Sequence, residues 1–192
     1  MDINGKKIVL TGAAGGIGSA MALKLAASGA TLTLVGRNQA KITALCDALG
    51  GEGHSVVIAD IATVEGRATL AHACADGIDL LINNAGVNYF GLLEQQTDEQ
   101  LQQMLQINAL APILLTRTLL PLLQRSGGGI VNVGSGFGSI GFAGYCGYSA
   151  SKFALRGFTE ALQRELADSD VTVQYFAPRS VATEMNPPEV VA

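Results

Sequence analysis

Short apolar runs alternate with longer amphipathic ones along this chain. Lys7-Ile8-Val9-Leu10-Thr11 is brief and rich in β-branched side chains, which predicts a buried strand, and glycines follow it at once. Ile17 to Ser28 sets Ile17, Met21 and Leu25 at helical spacing and stops at Gly29. Thr31 to Val35 predicts a second strand, with a helix over Asn38 to Leu49 behind it. Ser55 to Ala59 and Asp79 to Ile82 repeat the strand pattern around a helix that begins near Thr63. Thr97-Asp98-Glu99-Gln100 has the form of a capping box and opens a long helical stretch to about Leu123, interrupted at Pro112. Ile130 to Val133 predicts a fifth strand, Tyr148 to Ala167 a helix, and Val171 to Phe176 a sixth strand.

Strands that are apolar on both faces and alternate with helices imply a parallel sheet covered on both sides. Right-handed crossovers then give an α/β fold with a doubly wound, three-layer sheet. No repeat, linker or second zone of composition divides the 192 residues, so residues 1–192 are read as one domain. Composition narrows the function. Charged residues are 15% of the chain against about 25% in typical domains. The formal net charge is −4 with no basic run, which argues against a nucleic-acid partner. Cys46, Cys74 and Cys146 form no C-x-x-C pair, and His54 and His72 add no metal-ligand spacing, so no metal site is expected and the thiols are read as reduced and cytoplasmic. The uncharged stretch from Ser126 to Ser151 is long enough to span a bilayer, but nine of its residues are glycine, which predicts loops around a strand and no membrane partner.

Glycine, at 24 residues, is the compositional anomaly. One cluster is Thr11-Gly12-Ala13-Ala14-Gly15-Gly16-Ile17-Gly18, placed between the first strand and the first helix. A helix N-terminus presents unpaired N–H groups and partial positive charge, and glycines let a pyrophosphate approach it closely. The glycines of this turn and the nine between Gly127 and Gly147 bracket one region, and their abundance is read as backbone making room for a dinucleotide. Further on, Tyr148-Ser149-Ala150-Ser151-Lys152 puts a phenol and an ammonium four residues apart on one helix face. A nearby cation favours phenolate, so Tyr148 is expected to have a lowered pKa and to exchange protons near neutral pH.

These clusters stand in a telling order. The turn T-G-x-x-x-G-x-G comes first, then Asn83-Asn84-Ala85-Gly86 after the fourth strand, then Ser135 thirteen residues before Tyr148-x-x-x-Lys152. In this the chain resembles the short-chain dehydrogenase/reductase family from about Lys6 to Thr183. The resemblance implies an oxidoreductase that moves a hydride between a nicotinamide cofactor and a carbonyl or secondary alcohol. It implies that Tyr148 passes the proton, that Lys152 holds the nicotinamide ribose and tunes Tyr148, and that Ser135 hydrogen-bonds the substrate oxygen. Asn108, in Gln106-Ile107-Asn108-Ala109, matches the helix asparagine that anchors a water chain to the lysine. Gly12, Gly16, Ile17 and Gly18, with Asn84, Ala85 and Gly86, match cofactor-binding positions. Asp60 resembles the aspartate that binds the adenine amino group, with Ile61 supplying backbone and loop capping the alternative role of Asp60. Val181 and Thr183 match residues that touch the nicotinamide amide.

The cofactor type is read at the end of the second strand. Leu34-Val35-Gly36-Arg37-Asn38 has glycine where a carboxylate for the adenosine 2′-hydroxyl would stand, then an arginine that can fork onto a 2′-phosphate. NADP(H) is therefore expected over NAD(H), although Ala14 lacks the second basic residue that some NADP-using relatives carry. The substrate is expected to be a small, largely apolar carbonyl or alcohol, because Tyr89, Phe90, Phe137, Ile140, Phe142 and Tyr145 flank the motifs. Two departures stand out. Arg179 occupies the glycine position of the family's Pro-Gly, and the chain stops at Ala192, where relatives continue through a lid and a seventh strand. Either the protein is shortened or a tail follows Ala192. A homo-oligomer is expected, and without a tail the sixth strand would be exposed and the assembly a dimer through the long helices. The alternative function is a cofactor-binding sensor or scaffold without turnover.

Overall fold

The computed structural model describes residues 2–179, so Val181 and Thr183 lie outside the described residues. Six strands, β1 (Lys7–Thr11), β2 (Thr31–Gly36), β3 (Ser55–Ile58), β4 (Leu80–Asn83), β5 (Gly129–Val133) and β6 (Thr172–Phe176), form one sheet in the order β3-β2-β1-β4-β5-β6. Every pairing is parallel, with Ile8 set between Leu32 and Leu80. The helices are α1 (Gly16–Ala27), α2 (Gln39–Asp47), α3 (Val64–Ala73), α4 (Asp98–Leu105), α5 (Ala111–Ser126) and α6 (Cys146–Glu165).

The strand alternation sorts the core into two layers. Ile8 and Leu10 point to one face, where they join Leu32, Leu34, Ala22, Ala26 and Ile42 beneath α1 and α2. Val9 points to the other, with Val35, Leu81, Leu115, Leu119 and Leu162 beneath α3, α5 and α6. Both faces are covered, as near-continuous apolar strands require. The chain reverses its winding between β1 and β4, so a crevice opens at the carboxyl ends of these two strands.

Boundaries differ from the sequence reading where side chains cap. Asn38 lies outside α2 and caps it, Oδ1 accepting from the Lys41 N–H at 3.0 Å. Thr63 caps α3 in the same way. The Thr97–Gln100 capping box is complete. Helix α6 starts two residues before Tyr148, which puts that tyrosine in its first turn. The break expected at Pro112 is a single π-helical segment, Gln106–Leu110, after which α5 runs on to Gly127 at φ 58°. Residues 98–126 are long and apolar enough to cross a membrane, but Met104, Leu115, Leu119 and Leu123 of this run are fully buried in the core.

Candidate active site

The glycine turn sits at the crevice because β1 ends there. Gly12 has φ 63°, and a side chain on it would meet the Ala85 backbone at 2.7 Å. Gly18 is buried in α1, where a Cβ would come within 2.3 Å of the Gly12 carbonyl oxygen. The helices α2, α3 and α4 are capped by Asn38, Thr63 and Thr97, whereas α1 has Gly15 at its N-cap, no side-chain cap and no acidic residue in its first turn. Its first N–H groups face a cavity of about 870 Å³, which Gly16, Ile17, Arg37, Asn84, Ser135 and Tyr148 help to line.

Thr11, which the sequence showed as a strand end and the first letter of the glycine motif with no role of its own, ties this turn to β4. Its hydroxyl accepts from the backbone N–H groups of Asn84 (3.0 Å) and Ala85 (3.1 Å) and donates to the Ile82 carbonyl. Asn84 answers with Nδ2, donating to the carbonyls of Thr11 and Gly12 at 3.0 and 3.1 Å. Asn84, Ala85 and Gly86 thus form the far wall of the turn. A side chain at Gly86 would sit 3.2 Å from Asn108 Oδ1 and 3.7 Å from Lys152 Nζ, so glycine keeps that passage open.

At the end of β2, the Arg37 side chain is 67% exposed and reaches within 4.0 Å of Asp60 Oδ2. Asp60 caps its own loop, Oδ1 accepting from the Ala62 N–H at 2.9 Å. The Ile61 side chain belongs to the core and its carbonyl accepts from Arg67, so what it offers the cavity is narrower than a free backbone segment.

Helix α6 carries the phenol and the ammonium on one face, with Lys152 Nζ 5.7 Å from the Tyr148 ring centroid. Lys152 is 4% exposed and donates to the Val133 carbonyl at 3.0 Å. Burial pulls its pKa down to about 8. For Tyr148 the expectation of a lowered pKa is overturned. Burial raises it, the nearby Ser135 hydroxyl opposes that only in part, and the ammonium is turned toward Val133. Asn108 lies in the π-helical segment, and its side chain is spent on protein, with Oδ1 accepting from Val87 N–H and Nδ2 donating to Val87 O and Ser151 Oγ. The Ala111 N–H bonds Gln106, five residues back, and Pro112 has no N–H to give, so Asn108's backbone carbonyl lacks its ordinary helical donor.

Ser135 leaves β5 on a loop held from below by Tyr175 of β6, another residue with no signal in the local sequence. The Tyr175 hydroxyl accepts from the Ser135 N–H and donates to the Ser135 carbonyl, both at 3.3 Å. Its ring fills the space that a side chain at Gly134 would need, and its hydroxyl fills that at Gly138. Above this loop Phe137, Phe142, Tyr145 and Phe90 form an aromatic cluster that reaches Tyr148, with Phe137 and Phe142 stacked 5.6 Å apart. Tyr89, Phe137 and Tyr145 line the cavity, whereas exposed Ile140, Phe142 and Phe90 do not. Arg179 is exposed at the cavity rim.

Comparison with known proteins agrees with this arrangement. The short chain dehydrogenase family model matches residues 6–190. A 3-oxoacyl-[acyl-carrier-protein] reductase FabG of Vibrio harveyi is 33% identical over 189 residues, covering 96% of this chain and 77% of the relative. Nodulation protein G of a Rhizobium sp. (strain N33) is 35% identical over 188 residues, covering 96% and 76%. Among solved structures, a putative NAD(P)-dependent gluconate 5-dehydrogenase from Beutenbergia cavernae with bound NADP superposes with a TM-score of 0.89 at 33% identity, covering 96% of this chain and 76% of that one. The L-sorbose reductase of Gluconobacter frateurii, complexed with NADPH and L-sorbose, gives a TM-score of 0.90 at 28% identity, with 96% and 73% covered. With its glycine turn, its Asn84 wall and its Ser135, Tyr148 and Lys152 set around one crevice, the chain belongs to the short-chain dehydrogenase family of oxidoreductases.

Proposed function

We propose that this chain reduces a carbonyl, or oxidises the matching secondary alcohol, with NADP(H) as hydride partner and Tyr148 as general acid and base. The observation that carries the reading is the convergence of Ser135, Tyr148 and buried Lys152 on the cavity that the glycine turn also opens into. The residues present fit a dinucleotide: Gly12 and Gly18 allow no side chain, and the first turn of α1 keeps its donors uncapped. Gly16, Ile17 and the Asn84-Ala85-Gly86 wall would hold its phosphates and nicotinamide end. Asp60 and Ile61 would border its adenine. Arg37, with no short ion pair among the described residues, would meet a 2′-phosphate, which supports NADPH over NADH. The NADP and NADPH in the two structural neighbours point the same way.

When bound, the reduced nicotinamide supplies the hydride, and the chain's own residues handle the oxygen. The Ser135 hydroxyl donates to the carbonyl oxygen as negative charge grows there. The Tyr148 phenol, kept protonated by burial, gives that oxygen its proton. The phenolate left behind has the Lys152 ammonium nearby, 5.7 Å from the ring centroid and held by the Val133 carbonyl. Asn108's backbone carbonyl suits a water that leads protons back toward Lys152. One unit binds cofactor and substrate. The aromatic cluster supports a substrate with an apolar part, and exposed Leu105, Leu110 and Phe153 support a homo-oligomer built on the long helices. The unpaired thiols of Cys46, Cys74 and Cys146 suit the cytoplasm.

The test is nicotinamide absorbance with a panel of ketones and aldehydes and both reduced cofactors. Consumption of NADPH at least tenfold faster than NADH is expected at subsaturating cofactor. Tight NADPH binding with no turnover of any carbonyl would favour a sensor or scaffold.

A further inference from the structure

Two polar groups in the cavity are unused by the chemistry above. Tyr145 is 2% exposed, and its ring packs between Phe90 (5.1 Å) and Phe137 (4.7 Å), with the Tyr148 ring 6.2 Å away. Its hydroxyl finds no hydrogen-bond partner among the described residues, and neither does the buried Oδ1 of Asn88. Both residues line the cavity that holds Ser135 and Tyr148. The Asn88 amide is near enough to oppose the rise that burial gives the Tyr145 pKa, yet the two complete no bond of good geometry. A buried phenol ordinarily has a partner, and leaving one without is costly.

The site is also held in place. The Gly91 N–H donates to the Gly144 carbonyl at 3.0 Å, clamping the segment after Asn88 to the residue before Tyr145. Gly144, at φ 80°, leaves the space that the Phe90 ring fills, since a Cβ there would come within 2.5 Å of it. An aromatic bed therefore carries one fixed polar pair beside the reacting centre.

We propose that Tyr145 and Asn88 form a subsite for a hydroxyl group carried by the substrate near its reacting carbonyl, so that hydroxy ketones are the preferred class. A hydroxyl accepts from the Tyr145 phenol and donates to the Asn88 side chain. A bare carbonyl or carboxylate only accepts and would leave Asn88 Oδ1 unpaired. A methyl group in place of the hydroxyl would leave both protein groups desolvated and unmatched, the condition under which enzymes discriminate strongly.

This rests on the proposed carbonyl chemistry, and the test separates the two. Matched pairs replace hydroxyl by methyl: hydroxyacetone against 2-butanone, and 4-hydroxy-2-butanone against 2-pentanone. With NADPH, at least one hydroxylated member is expected to exceed its partner in kcat/KM by tenfold or more, and the ratio to fall toward one in both Tyr145→Phe and Asn88→Ala. Equal kcat/KM within both pairs, or a ratio unmoved in both variants, overturns the subsite. The same pairs are titrated into NADPH-saturated Tyr148→Phe protein, where tenfold tighter binding of the hydroxylated member is expected and equal binding contradicts the subsite. Preferential binding together with a wild-type protein that turns over neither member supports the subsite and refutes the proposed reaction.

Discussion

Two glycine-rich segments flank the crevice, and they use glycine for different reasons. In the turn between β1 and α1, the absent side chains would collide with backbone: Gly12 with Ala85, and Gly18 with the carbonyls of Gly12 and Ala13. Between β5 and Tyr148, they would mostly collide with side chains: Gly134 and Gly138 with Tyr175, Gly144 with Phe90, and Gly147 with Met104 and Leu101. The first segment is shaped so that donors at a helix end stay open to a ligand. The second is shaped by the protein's own rings, which hold Ser135 and Tyr145 in place. At Gly134, Gly138, Gly144 and Gly147 the space goes to the protein's own side chains, while Gly134 and Gly136 also line the crevice.

The sharpest way to break this comparison is a pair of alanine substitutions. Gly18→Ala forces a Cβ against carbonyl oxygens that cannot rotate away, and we expect about 2–3 kcal/mol of lost stability in chemical denaturation, with NADPH binding lost alongside. No second-site truncation should restore it. Gly134→Ala is expected to cost about 1–3 kcal/mol, but here Tyr175→Ala should relieve the clash while Tyr175→Phe should not, since the ring itself is in the way. A double-mutant coupling of about 1 kcal/mol or more between 134 and 175, by urea denaturation, is the expected sign. No coupling would place the two glycine segments in one class.

Lys152 sharpens the contrast through pH, since burial depresses its pKa from 10.5 to about 8 on the Tyr148 side of the crevice. The unfolded chain then binds more protons than the native one between these values, so the lysine's burden on stability is full below pH 8 and lifts as pH rises. Cys74, raised by burial from 9.0 to about 11, works in the opposite direction above pH 9 and masks the trend in the wild type alone. The difference between Lys152→Met and wild type isolates it. The variant's relative stability should shrink by about 1 kcal/mol from pH 8 to 9. A flat difference would mean that the ammonium is not buried at this loop. The smallest effect belongs to Arg37→Ala. Among the described residues its side chain makes one long, exposed ion pair, so stability should move by no more than about 0.5 kcal/mol. The preference for NADPH over NADH should fall about tenfold in kcat/KM, the scale of one charge-assisted contact.

The pattern of apolar runs located all six strands because a parallel sheet buried on both faces leaves few other ways to read Ile8-Val9-Leu10 or Leu80-Leu81-Ile82. Spacing alone put Tyr148 and Lys152 on one helix face. What stayed hidden depends on contacts between distant segments. Thr11 looks like any strand residue until β4 arrives beside it and its hydroxyl receives two N–H groups. Tyr175 is one position in a short strand, and only the fold sets it under Gly134 and Gly138. The sign of the Tyr148 shift also escaped the sequence, since it turns on how deeply the phenol is buried and where the Lys152 ammonium points.

The central claim is that one crevice binds the cofactor through the glycine turn and performs the chemistry through Tyr148. Measuring both functions on Tyr148→Phe tests it most directly, with NADPH fluorescence titration for binding and carbonyl-dependent NADPH oxidation for turnover. Binding within about twofold of wild type, with turnover reduced about 10²–10⁴-fold, is the predicted result for a lost general acid. Wild-type turnover in Tyr148→Phe would contradict the claim.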